Sequence, residues 1–212
     1  MNCRVIADSR QWAKCDLFFG IEVEYEMGAN QLKISQSTCI TRMVEKFNQV
    51  DAKTAYNPSV EGQIMVKCER KDPRIENRPF RSLVGSLLYV ATGTRPEIAF
   101  AVSIELKSGE TKQKHWNVAI CLLRYLKLTL ISGICYQGKR GVLKMNAYSD
   151  ADRGSKMDNR CSTSGVMVII NKSPVICKSK LQQDASLGPT KDKYVALSLC
   201  IQEVLWSKNI LL

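Results

Sequence analysis

The hydrophobic period of this chain changes once, and the change limits the architectures open to it. From Pro79 onward, Phe80, Leu83, Val84, Leu87, Leu88 and Ala91 recur at helical spacing; Ile98, Ala99, Val102 and Leu106 follow, then Trp116, Ala119, Ile120, Leu123 and Leu126. Side chains at i, i+3, i+4 and i+7 share one helical face, so three packed helices are expected in the middle of the chain. Beyond Gly133 the texture becomes extended. Ile134 to Gln137, a turn at Gly138-Lys139-Arg140-Gly141, and Val142 to Ser149 read as a hairpin ending at Asp150. Thr163 to Ile170, a turn around Asn171-Lys172-Ser173-Pro174, and Val175 to Ser179 extend it into an antiparallel meander. Gly188-Pro189 breaks the chain, Thr190 is the expected N-cap, and Tyr194, Leu197, Ile201, Val204 and Leu205 form the apolar face of a last helix.

The N-terminal third carries a second extended region. Leu17 to Tyr25, alternating from Phe19, meets Gly28-Ala29-Asn30 and then Gln31 to Ser35, which predicts a β-hairpin. Ile40, Met43, Val44 and Phe47 predict a short amphipathic helix after it. From Val50 to Asn77 periodicity fades among Pro58, Gly62 and Pro73, the profile of a linker or irregular surface loop. Three parts are expected: residues 1–50 (hairpin and helix), 51–132 (linker and helical region) and 133–212 (strands and a final helix).

Composition narrows the chemistry. Nine cysteines sit singly with no C-x-x-C pair, and the chain has one histidine, which argues against a zinc site or a dithiol redox motif. Their odd number and the lack of a basic-then-apolar leader predict an intracellular, reduced protein, with cytoplasm and nucleus not distinguished. No apolar run reaches the roughly 18 residues needed to span a bilayer, so a soluble chain with no membrane partner is expected. A formal net charge of +11 favours polyanionic partners, nucleic acid first. Between Lys139 and Lys193, eleven Lys and Arg face five Asp, and Arg153, Lys156, Arg160, Lys178 and Lys180 are candidate phosphate contacts.

The stretch Asn146-Ala147-Tyr148-Ser149-Asp150-Ala151-Asp152 carries the most specific chemistry. It delivers two carboxylates to a strand end, where hard divalent cations find oxygen ligands; a solvated Asp-rich turn would leave the same pattern. His115, beside Trp116, has no second histidine at ligand spacing and reads as structural.

Several stretches together resemble the C-terminal part of the Pol polyprotein of copia-type LTR retrotransposons. They are Phe19-Gly20-Ile21-Glu22-Val23, Arg81 to Tyr89 (RSLVGSLLY), Thr94-Arg95-Pro96-Glu97-Ile98-Ala99-Phe100, Leu123 to Lys127, Tyr148-Ser149-Asp150-Ala151-Asp152 and Ser162-Thr163-Ser164-Gly165. The resemblance implies a reverse transcriptase tail over residues 1–50, a helical connection region, and a ribonuclease H domain from 133. The expected fold is thus α/β (α+β): a ribonuclease H-like mixed sheet, C-terminally truncated, preceded by a β-hairpin and the helical connection. The family's activity is hydrolysis of RNA in RNA–DNA hybrids by Mg²⁺ or Mn²⁺ held in a carboxylate cluster.

Carried over residue by residue, Asp150 matches the family's first catalytic Asp and is its vestigial metal ligand, and Asp152 matches the second acid of the same motif. The catalytic Glu position falls on Lys193, and the family's other Glu in that run on Lys191. A third Asp belongs to a strand beyond Leu212, which in the family pairs beside the first strand, so an unpaired edge and an uncovered core are expected. With Thr190 as N-cap, Lys193 also spoils a capping box. No Asp-Asp pair marks a polymerase palm. Three functional readings follow: a catalytically inactive remnant, a non-catalytic nucleic-acid-binding module that takes up RNA–DNA hybrid or another nucleic acid, and an active hybrid nuclease. The first is favoured, with no productively bound cofactor; oligomeric state is left open.

Overall fold

The computed structural model describes residues 5–7, 12–58, 79–105, 113–138, 143–152, 162–182 and 188–211. Within them the chain is mixed α and β, with two antiparallel sheets and four α-helices. The first sheet runs in the order β1 (Val5–Ala7), β2 (Trp12–Phe18), β3 (Ile21–Glu26), β4 (Gln31–Ser35) and β5 (Ile134–Gln137). The second contains β6 (Met145–Asp152), β7 (Thr163–Ile170) and β8 (Ser173–Leu181). The helices are α1 (Ser37–Lys46), α2 (Phe80–Gly93), α3 (Gln113–Leu128) and α4 (Pro189–Leu211). A 3₁₀ turn, Pro96–Ile98, and a π turn, Ala101–Glu105, stand where the sequence predicts one helix between α2 and α3. Ile98, Ala99 and Val102 are buried there as expected.

The β3–β4 hairpin forms as predicted, with Glu26 paired to Gln31. The run from Leu17 to Tyr25 is not one strand, however. Phe19 (φ 51°) and Gly20 (φ 77°) make a two-residue turn between Phe18 and Ile21, and positive φ at both positions is the primed geometry that matches strand twist. Phe at the first of them hid the turn from the sequence pattern. A second correction concerns β5, which pairs with β4 (Ile34 opposite Ile134) instead of folding back on β6. Gly133 explains part of that choice: a Cβ there would lie 2.2 Å from the Ile34 carbonyl oxygen, so only glycine lets the chain pass.

One apolar core lies among α1, α2 and α3. Ile40, Leu83, Leu87, Val90, Val102, Leu122, Leu123 and Leu126 are fully enclosed, and each such side chain contributes about 1.5–3 kcal/mol through burial. Arg95 locks the turn after α2 to the end of α3. It is 2% exposed, pairs with Glu97 at 2.6 Å, donates to the Thr129 carbonyl at 2.9 Å and stacks over Tyr125. Glu22, in the first resemblance motif, does comparable work at α1: its carboxylate accepts from the Thr38 amide at 2.7 Å and the Ser35 hydroxyl at 3.2 Å. The first of these bonds satisfies a helix donor left open by Gln36 at the N-cap, whose side chain makes no capping bond. Burial raises the Glu22 pKa, but the bonds from Thr38 and Ser35 outweigh it and hold the carboxyl below the usual range.

The two sheets meet along β5 and β8. Tyr136 donates to the Pro174 carbonyl at 3.0 Å, and Ser173 to the Cys135 carbonyl at 2.5 Å. β7 and β8 join through Asn171 and Lys172, both at positive φ, with a bulge that admits Pro174.

Candidate functional site

β6 pairs with β7 over its whole length, Met145 opposite Ile170 through Asp152 opposite Thr163. Opposite residues share a face, so Ala151 stands with Ser164, while Asp150 and Asp152 stand with Gly165 and Thr163 on the other. The Ser164 side is covered by α4. Gln182, buried at the end of β8, donates to the Ser164 hydroxyl at 2.9 Å and to the Asp192 carbonyl at 3.1 Å. Farther along, the Cys200 thiol lies 3.7 Å from the Tyr148 carbonyl oxygen. The first turn of α4 is thereby fixed beside the acidic end of β6.

Among the described residues, the side chains at this end stand apart from one another. Asp150 is exposed, and its Oδ1 accepts from the Ala151 amide at 2.8 Å; Asp152 is exposed at the strand's last position. Lys193 is exposed on α4, and among the described residues it forms no ion pair with either acid. No group of three or more His, Cys, Asp or Glu among the described residues could hold a metal ion. An ammonium where the resemblance places a ligand opposes a divalent cation, so the donors among the described residues do not fit the two ions that the resemblance implies.

Asp192, next to Lys193, went unnoticed in the sequence. It is 1% exposed, and among the described residues neither carboxylate oxygen has a hydrogen-bond partner. Its place in the first turn of α4, at the positive end of the helix dipole, is the one compensation visible. Thr190 is not the N-cap: Pro189 is the first residue of α4, a position that suits its fixed φ and missing N–H, so Thr190 lies inside the first turn and the capping box does not arise.

The expected apolar face of α4 is corrected as well. The residues buried against the sheet are Asp192, Ala196, Cys200 and Ser207, while Tyr194, Leu197, Ile201 and Leu205 are exposed and Val204 is intermediate. Small residues let the helix approach the strands closely, and the larger ones remain outside. Of the candidate phosphate contacts, Lys180 is exposed on β8, and Lys178 is engaged by Glu203 of α4 at 2.6 Å. Arg153, Lys156 and Arg160 lie outside the described residues. His115 is buried in α3. No helix among the described residues is long and apolar enough to cross a membrane.

No protein-family model matches the chain, and no solved structure does. Curated relatives do. The chain is 30% identical over 211 residues to the retrovirus-related Pol polyprotein from transposon TNT 1-94 of Nicotiana tabacum, a match covering 96% of this chain and 16% of that polyprotein. It is 28% identical over 198 residues to the corresponding polyprotein from transposon RE2 of Arabidopsis thaliana, covering 92% of this chain and 13% of the relative. A shorter relative, secreted RxLR effector protein 161 of Plasmopara viticola, is 35% identical over 133 residues, which span 62% of this chain and 93% of that protein. The chain thus spans about a sixth or less of the polyproteins it matches, yet nearly all of it is matched, and it belongs to the family of the retrovirus-related Pol polyproteins of transposons.

Proposed function

We propose that this chain is a Pol fragment from the reverse transcriptase and ribonuclease H region, divided as 1–50, 51–132 and 133–212, whose ribonuclease H-like part does not cut RNA–DNA hybrids. The observation that carries this reading is Lys193. It occupies the position where the resemblance places a catalytic Glu, just past the first turn of a helix held beside the end of β6 through Gln182. Asp150, tied to its own neighbour's amide, and Asp152 are too few carboxylates to hold two cations. The test is incubation of the chain with a labelled RNA–DNA hybrid in Mg²⁺ or Mn²⁺. The expected result is no cleavage, with Asp150→Asn indistinguishable from the parent; metal-dependent cutting abolished by Asp150→Asn would overturn the proposal.

A second reading is supported by the exposed lysines. Lys144, Lys172, Lys180, Lys191 and Lys193 are all exposed on the β6–β8 and α4 unit, and lysines that neutralise phosphates release counterions. Binding of hybrid or duplex should then fall steeply as salt rises. A flat titration at low ionic strength rejects a nucleic-acid-binding role.

A further inference from the structure

We draw no further inference here: the strongest candidate, the cavity of about 600 Å³ between the end of α2, the outer edge of β8 and α4, lined by Thr92, Val175, Cys177, Gln202 and Trp206, carries none, because its charged groups, Lys178 and Glu203, are paired with each other and nothing in the structure shows what covers it.

Discussion

α2 and α4 are both rich in large apolar residues and spend them in opposite directions. α2 turns Phe80, Leu83, Leu87, Val90 and Ala91 into the core shared with α1 and α3. α4 seats alanine, cysteine, serine and one carboxylate on the sheet and leaves Tyr194 at 65% and Leu205 at 55% exposure. A helix apolar on all sides is the signature of one with neighbours all round. α2 has them, whereas among the described residues α4 is covered on one side only. Truncation therefore separates the two regions most strongly. Leu87→Ala should lower unfolding stability by about 3 kcal/mol, and Ile201→Ala by less than about 0.5 kcal/mol at concentrations where the chain is monomeric. Urea unfolding followed by tryptophan fluorescence measures both. Similar losses would show that α4's outer face is covered even in the monomer.

Arg95 sharpens the same contrast from the polar side. In the helical region a buried charge is fully engaged, by Glu97, Thr129 and Tyr125. Arg95→Met keeps much of the packing volume but removes the guanidinium's bonds to the Thr129 carbonyl and hydroxyl and ends the stacking, leaving the carbonyl only the Ser132 amide, and should cost about 2 kcal/mol. Glu97, at 39% side-chain exposure, can hydrate after its partner is lost, which is why the larger penalty of a broken buried pair is not expected. A loss below about 0.5 kcal/mol in the same unfolding experiment would refute the bracing role.

Elements built on local periodicity were legible in the sequence: the faces of α1, α2 and α3, the β3–β4 hairpin, and the β7–β8 pair. Those that depend on a distant partner were not. β5 looks like the first arm of a hairpin with β6, and only its pairing with β4, a hundred residues away in the chain, shows otherwise. The face of α4 was misread for a related reason. Period alone says that Tyr194, Leu197, Ile201 and Leu205 share a side, but closeness to strands selects the small residues. At the candidate site, sequence matching singled out Asp150 and Lys193 and passed over Asp192, because a single acid in a helix's first turn normally reads as solvated dipole compensation.

Asp192 marks the counter-case to Arg95, a buried carboxyl group in the less covered region with no hydrogen-bond partner among the described residues. Removing a buried, unpaired charge relieves its desolvation penalty, so Asp192→Asn should raise stability by about 1 kcal/mol. The new amide can also donate where the carboxylate could only accept. A thermal melt at neutral pH reads the change directly. A loss of similar size would mean that the helix dipole, or a partner outside the described residues, stabilises the charge by more than its burial costs.

The smallest effect separates the regions by pH. Glu22 caps α1 with a carboxylate whose folded-state pKa lies below its unfolded value, because the Thr38 and Ser35 bonds outweigh burial. The unfolded chain therefore takes up this proton first as pH falls. The stability Glu22 supplies is fully present above the ordinary glutamate range and is lost as pH drops through the lower folded value. Because Glu22 is only half-buried, its worth is that of an N-terminal helix cap, about 0.5–1 kcal/mol. Glu22→Gln should lower stability by about that amount at neutral pH and by nothing measurable once the parent carboxyl is protonated. The two unfolding curves, measured stepwise from neutral to acid, should converge. If they stay parallel, the loss comes from packing, and the bond to the Thr38 amide contributes no charge-dependent stability.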